Sequence, residues 1–450
     1  MKSAESPPLG ASSILGTWWP LAASWLLMGA ELPVISAVVG RLPQAEIMLA
    51  AFGGVVFPIA LLIESPIIMM LAASATWSRD TESFRQLERF MVRLSIGLTV
   101  LAAVIAFTPL YRLVVVPLLD VPGPVQAPAH LGLQIMVFWT WAIADRRFRQ
   151  GALIKFGHRG AIIQGTIARL IVTFLSLWLF WRNGFSGIVT ATASLSLGVF
   201  AEAAFVRIRA KQLLPATLQA AATALSKPRA TSLLAFYVPL ALTPMLVLAA
   251  QPIAAAGITR MPLPLEGLAV WGPLGGLAFL MRSAGLAFNE VVIAHADEPG
   301  AEARLLRFAW GWGMGFTHAL ALIATTPLAD LWFQDAIGLS PQLADLGVAA
   351  LWLAIPLPIL TFLQSHWQGL LVHRHRTGAV TGSVGLFLIV TVLIIVAGVL
   401  MDRWSGLEVT LFSFTVGNAA QLLWLRHKWR SEGQQRPEQP EIGTLVPEPF

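Results

Sequence analysis

The 450-residue chain has no cysteine, only two tyrosines and few charges: 12% of its residues are Asp, Glu, Lys or Arg, against 56% hydrophobic. Without cysteine there are no disulfides, thiolate metal sites or cysteine nucleophiles, although in a membrane protein this says little about compartment. The histidines do not cluster as ligands. The closest two, His373 and His375, sit in a basic loop, so no metal site is expected. The chain also lacks a Walker A pattern, an HExxH, an aspartate pair with metal spacing and a Ser/His/Asp arrangement. No enzyme and no cofactor are therefore expected. An integral-membrane transferase or scaffold would call for a catalytic His or Asp at a membrane surface, and the sequence offers none. Transport by such a chain is secondary, coupled to a proton (H+), sodium (Na+) or substrate gradient. There is no cleavable signal, because the first apolar segment, from near Ser12, is too long and lacks a small-residue cleavage site.

What the chain does have is apolar length. Its mean hydropathy is +0.71, and its apolar runs repeatedly reach the roughly 20 residues that cross a bilayer. The reading is an all-α polytopic membrane protein of twelve transmembrane helices, near 13–40, 46–76, 90–115, 130–156, 160–182, 186–208, 231–259, 266–293, 306–332, 344–373, 377–401 and 405–426. The isoelectric point of about 10.3 does not imply nucleic acid, because the basic residues fall in short loops between spans. They crowd one set of loops (Arg79, Arg85, Arg89, Lys155, Arg207, Lys211, Arg304, Arg374, Arg426), while the other set holds Arg41, Arg112, Arg182, Arg260 and Arg403. The positive-inside rule then puts both termini in the cytoplasm, in the inner (cell) membrane.

The chain repeats itself directly. Pro20–Pro43 aligns with Pro239–Pro262 at an offset of 219, pairing Pro33 with Pro252 and Arg41 with Arg260. Thr108-Pro109-Leu110 meets Thr326-Pro327-Leu328 at 218, as Gln150-Gly151 meets Gln368-Gly369, while Ser194, Gly198 and Arg207 meet Ser413, Gly417 and Arg426 at 219. Polar, Gly and Pro matches at one offset are not chance. Six helices have been duplicated, and an even number makes two parallel six-helix lobes related by a pseudo-two-fold axis along the membrane normal, with the site between them. The expected organisation is a cytoplasmic segment 1–12, an N-lobe 13–208, a linker 209–230 that is either an interfacial helix or a tether, a C-lobe 231–426, and a disordered Pro/Glu/Gln-rich tail 427–450.

Two such lobes, with Trp-Trp-Pro-Leu at Trp18–Leu21 opening the first span and Phe236–Leu242 (FYVPLAL) opening the seventh, resemble the MOP superfamily of MATE exporters and polysaccharide or lipid flippases. Ala45–Pro66, Gly151–His158 and Gly285–His295 are most similar to the progressive ankylosis (ANK) family. The resemblance implies V-shaped, MATE-like lobes, alternating access, and export of a small anion of the citrate, nucleotide or pyrophosphate class. The alternatives are a flippase for lipid-linked sugars and a MATE-type multidrug antiporter. The expected partners are the lipid bilayer and a small anionic substrate, with no nucleic acid, and the chain is expected to act as a monomer.

The candidate site centres on Ala144–Leu153 (ADRRFRQGAL) in the fourth span. Ionisable residues at membrane depth face a bundle interior or a wet cavity. Arg146, Arg149 and Gln150 share a face by their spacing, Asp145 reaches Arg149 at i+4, and Arg147 points about 100° away. The expectation is that Arg146 and Arg149 face a central cavity and bind the anion, that Arg147 pairs with a neighbouring helix or Asp145, and that Arg169 adds a second positive wall. The competing reading is the end of a span with snorkelling side chains. The equivalent positions in the tenth span, Gln364, His366 and Gln368, are also polar, and with Gln150, Arg147 and Arg282 they are expected among the substrate-binding residues. Glu31, Glu64 and Arg282 lie inside spans, where each needs a partner. Glu64 and Arg282 are expected to approach each other or to share a cavity, as a structural pair, a gate or a proton-trading carboxylate. Glu31, Glu64, Asp145, Asn289 and Glu290 are the coupling or gating candidates, and Glu202 and Gln421 read as interfacial.

Overall fold

The computed structural model describes residues 10–224 and 233–433, which are helical with no strand among them. The linker residues 225–230, the tail from 434 and most of the segment 1–12 lie outside the described residues. Twelve helical passes run as α1 Ala11–Val39, α2 Ala45–Trp77 and α3 Thr81–Phe107, α4 (123–155), α5 Arg159–Arg182, α6 Gly187–Ala224, α7 Leu233–Thr259, α8 Pro264–His295 and α9 Ala301–Thr325, then α10 Pro341–His373 and α11 Thr377–Met401 and α12 Gly406–Gly433. Among the described residues nine of these passes are long and apolar enough to span a membrane by composition alone. The passes below that mark, α4, α9 and α12, carry charged or polar residues along their length.

Several boundaries differ from the sequence reading; α4 starts at Gly123 rather than near 130, and α12 runs on to Gly433, so residues 427–433 of the expected disordered tail are helical. Helix α3 starts at Thr81 rather than near 90, because Asp80 and Ser83 form a reciprocal cap: Asp80 accepts from the Ser83 amide at 2.8 Å and Ser83 Oγ accepts from the Asp80 amide at 3.0 Å. Helix α9 stops at Thr325, ahead of Pro327, and the expected continuation to 332 turns instead into a wide helical turn, Leu331–Ala336. Helix α6 does not stop at 208 but runs unbroken to Ala224.

The breaks that matter sit where proline removes an amide. Pro33 leaves the Gly29 carbonyl without its helical donor, and α1 breaks at Ala30, directly before Glu31. Pro58 does the same to Gly54 inside a wide turn, Ala50–Val56. Pro66 frees the Leu62 carbonyl, which the Ser65 hydroxyl takes up at 2.7 Å, and Glu64 stands at that break.

The repeat is visible in space. Helices α2 and α8 meet at Gly53 and Gly272, one offset of 219 apart, where a Cβ on Gly53 would lie 3.0 Å from the Gly272 Cα. The pseudo-two-fold axis passes between them. The first helix of each lobe leans on the second helix of the other: Trp18 donates to the Ala284 carbonyl at 2.8 Å, and its counterpart Tyr237 donates to the Pro66 carbonyl at 2.6 Å.

Candidate functional site

A cavity of about 430 Å³ opens between the lobes around that axis, within the size range of small-molecule sites. Helix α4 presents Trp139, Ile143, Arg146 and Arg147 to it, a stripe at i, i+4, i+7 and i+8. Glu31 comes from α1, Glu64 from α2, Arg169 from α5 and Arg282 from α8. Aromatic rings, including Trp25, Phe52, Phe57, Trp271 and Phe279, form much of the remaining wall.

The hub of the charged wall is Glu202 of α6, which is buried rather than interfacial as its place near a helix end suggests. It is 1% exposed. It accepts from Arg146 Nη1 at 2.5 Å and from Gln150 Nε2 at 3.0 Å, and lies 3.7 Å from Arg169 Nη1. Arg169 also clasps Glu31 with Nε and Nη2, and Thr173 donates to the same carboxylate at 3.1 Å. Four helices, α1, α4, α5 and α6, are thus tied through a chain of carboxylates and guanidinia. Each buried charge has an opposite partner, the condition under which such charges are tolerated away from water. A glutamate deep inside an apolar run, AEAAF, was the available signal for Glu202.

Two cavity arginines stand outside this pairing. Among the described residues no carboxylate lies within ion-pair distance of Arg147 or Arg282. Arg282 donates only to neutral groups, Thr361 Oγ1 at 2.8 Å and Asn418 Oδ1 at 3.3 Å. Arg147 Nε has no hydrogen-bond partner, and neither does Trp139 Nε1 one turn-pair away on the same face. Glu64 lines the cavity with Oε2 unpartnered.

This geometry redistributes the expected roles. Arg149 does not line the cavity. It faces the other way, donating to Asp145 Oδ1 at 3.0 Å and to Glu88 Oε1 at 3.0 Å, while Arg207 holds Asp145 with two bonds of 2.8 and 3.1 Å. The reason is rotational: the cavity face of α4 is centred between Arg146 and Arg147, and Arg149 lies about 110° from it. Arg147, expected to turn away and pair with a neighbour or Asp145, is the one that points inward. Glu64 and Arg282 share the cavity without forming an ion pair. In the C-lobe, Gln364 donates to the Asn418 carbonyl at 2.7 Å and His366 is fully buried with both ring nitrogens unpartnered. Gln368 and Asn289 are half-buried and Glu290 is exposed. None of these five lines the cavity.

At the end of the bundle away from the basic loops, the lobes are clasped reciprocally. Arg41, closing α1, donates to the Ala336 and Asp335 carbonyls of the C-lobe at 2.6 and 2.5 Å. Arg260, closing α7, donates to the Leu118 and Pro117 carbonyls of the N-lobe at 2.8 and 3.0 Å. Donors and acceptors all correspond at the repeat offsets of 218 and 219.

The fold is similar to that of solved MOP-superfamily proteins. An inward-facing multidrug-resistance MATE transporter superposes with a TM-score of 0.68 at 13% identity, over 93% of this chain and 99% of that one. The lipid II flippase MurJ, in an inward closed conformation, gives 0.61 at 11% identity over 91% and 87%. A MOP-superfamily transporter from Pyrococcus furiosus, whose binding pocket is described as of reverse polarity, gives 0.59 at 16% identity over 94% and 96%. The chain therefore has the MATE-type fold, two six-helix lobes embedded in a lipid bilayer, and these neighbours are transporters rather than enzymes. No protein-family model and no curated protein matches the chain.

Proposed function

We propose that the chain is a secondary active transporter that carries an organic or phosphate-bearing anion through the cavity between its lobes by alternating access. One observation carries the reading: Arg147 of the N-lobe and Arg282 of the C-lobe face a single cavity, and neither has a carboxylate partner among the described residues. A guanidinium remains charged at any working pH and offers a planar fork that matches carboxylate or phosphate oxygens. An anion held from both lobes links their positions to its own presence, since a ligand shifts a conformational equilibrium by its differential affinity for the two states. The MATE-type fold and the solved relative with a pocket of reverse polarity support this, as does the resemblance to the ANK family. Glu64 is the coupling candidate, because a proton gained or lost there changes the charge that the cavity offers. The crowding of basic residues in one set of loops supports a cytoplasmic location for the start of α1 and the end of α12, in the cell membrane. One chain supplies both walls of the cavity, so a monomer suffices.

The aromatic walls suit a second reading, a flippase for a phosphate-bearing lipid-linked substrate, while the unpaired guanidinia of Arg147 and Arg282 weigh against an antiporter of organic cations. The test is equilibrium binding to the purified protein in nanodiscs. Arg147→Ala and Arg282→Ala should each weaken anion binding by about 1.5–3 kcal/mol, the scale of a hydrogen bond to a charged group, and the Lys variants should recover only part of it. Anion binding indifferent to both Ala substitutions, or preferential binding of cationic dyes, would end this reading.

A further inference from the structure

Resting on the anion reading above, we propose that the cavity takes an amphipathic anion, a single carboxylate or phosphate head on an aromatic or alkyl body, rather than a small polyanion such as citrate or pyrophosphate. The charges set the head. Arg146, Arg147, Arg169 and Arg282 line the cavity against Glu31 and Glu64, with Glu202 behind Arg146 and Arg169, so four guanidinia meet three carboxylates and one positive charge is left over. A monoanion neutralises it, and a dianion is accommodated when Glu64 carries a proton. A polyanion brings more charge than the cavity balances, and an unpaired charge away from water is strongly disfavoured. The unpaired guanidinia locate the head: Arg147 and Arg282 both line the cavity, and among the described residues neither has a carboxylate partner.

The rings set the body. Phe52, Phe57 and Trp25 from the N-lobe and Trp271, Phe279 and Phe414 from the C-lobe offer apolar faces that a compact hydrophilic anion leaves wet. An aryl or alkyl body covers them, and the gain grows with the apolar area removed from water.

The test holds the head constant and varies the body, in protein reconstituted into nanodiscs: acetate against octanoate and 2-naphthoate, inorganic phosphate against 2-naphthyl phosphate, with citrate and pyrophosphate alongside. Affinity should rise about tenfold or more from acetate to 2-naphthoate. Trp271→Ala and Phe279→Ala should remove most of that increment while leaving the dependence on Arg282 in place. Displacement of bound 2-naphthoate by lysophosphatidate points to a membrane-derived source, and its failure to displace points to a soluble one; both agree with the proposal. Citrate or pyrophosphate binding as tightly as the aryl anions, still dependent on Arg147 and Arg282, overturns the amphipathic class but keeps the anion reading. Neutral 2-naphthalenemethanol binding as well as 2-naphthoate overturns the anion reading itself.

Independently of what the cavity holds, we infer that Arg41 and Arg260 form a two-part latch that keeps the far end of the bundle shut and must release for that end to open. The four interlobe bonds are to backbone carbonyls, so they need no particular side chain on the opposite lobe and form only when the lobes are in register. Two further contacts share the same symmetry. Thr259 donates to the Leu119 carbonyl at 2.5 Å, and at the equivalent Gly40 a Cβ would lie 1.9 Å from the Ile337 carbonyl oxygen, so only glycine permits the approach. Both arginines are exposed. Their bonds therefore exchange readily with water, as a releasable contact requires.

Because the chain is cysteine-free, Ser36→Cys on the cavity wall reports opening without further engineering. In proteoliposomes, a membrane-impermeant thiol reagent applied from the side opposite Lys155 should label this cysteine slowly. Arg41→Ala or Arg260→Ala should each speed labelling several-fold, the double variant more than either, and the Lys variants should fall between. The melting temperature should stay close to that of the parent. Unchanged labelling in the double variant overturns the latch, and so does faster labelling from both sides together with a collapsed melting temperature.

Discussion

The two lobes are copies in their packing and opposites in their chemistry. Gly198 in α6 lies against Thr173, and its counterpart Gly417 in α12 lies against Thr391; Trp18 and Tyr237 bond the opposite lobe in the same way. At the depth of the cavity the correspondence ends. Where the N-lobe has Glu31, Arg146, Arg169 and Glu202, the C-lobe has Ala250, Gln364, Phe387 and Gln421 at the repeat offsets. Thr173 donates to Glu31, whereas Thr391 Oγ1 has no partner. Contacts made by backbone and small residues tolerate duplication unchanged because they depend on shape alone. Charges must balance across the whole cavity rather than within each copy, and a doubled ionic wall would have been doubly uncompensated. The result is an ionic lobe facing an amide lobe that contributes one guanidinium, Arg282.

This contrast makes Glu202 the most sensitive position. Glu202→Ala strands Arg146 and weakens the support of Arg169, and breaking a buried ion network by removing one member costs about 3–5 kcal/mol. Gln421→Ala removes neutral hydrogen bonds worth about 1 kcal/mol. Denaturant or thermal unfolding of the two variants in detergent should differ accordingly, and equal losses would break the comparison. Next in size is the glycine pair. A methyl at Gly198 meets Thr173 Oγ1 at 1.9 Å and one at Gly417 meets Thr391 Oγ1 at 2.7 Å. Overpacking of this kind costs about 1–3 kcal/mol. Gly198→Ala should be the more damaging, because Thr173 is tied to Glu31 and Thr391 is tied to nothing.

Arg149 sharpens the comparison within the N-lobe itself. Arg149→Met should lower unfolding stability yet leave anion affinity within about twofold, since the effect of a site that does not touch the ligand is separable from binding. A loss equal to that of Arg147→Ala would restore the face expected from the sequence. The smallest effect belongs to the helix starts. Asp80 caps α3, whereas Gly300 ahead of α9 offers no side-chain cap, so Asp80→Ala should cost about 1 kcal/mol of stability. The Ser83 amide holds the Asp80 carboxyl below its ordinary value. Its contribution is therefore present above the unfolded-state value of 3.8 and is lost as pH falls through the lower folded value. The stability difference between parent and Asp80→Ala, followed by melting temperature, should shrink toward acid pH and never grow.

Hydropathy, the direct repeat and the one-sided distribution of basic loops were sufficient for a twelve-helix duplicated membrane protein, because apolar length and a fixed offset are properties of the chain itself. They also placed Arg146, Arg169, Arg282, Glu31 and Glu64 inside the spans, and all five line the cavity. Which face of α4 meets that cavity was not legible. Arg146 shares a face with Arg149 and Gln150 but equally with Ile143 and Arg147, and only packing against α3 and α6 decides between them. Glu88 and Arg207, more than fifty residues away in sequence, draw Asp145 and Arg149 outward and leave Arg147 to the interior. Glu202 was obscure for the same reason. A buried charge is tolerated only by its partners, and those partners sit on other helices, so tertiary structure alone decides which charges are neutralised and which remain free to meet a ligand.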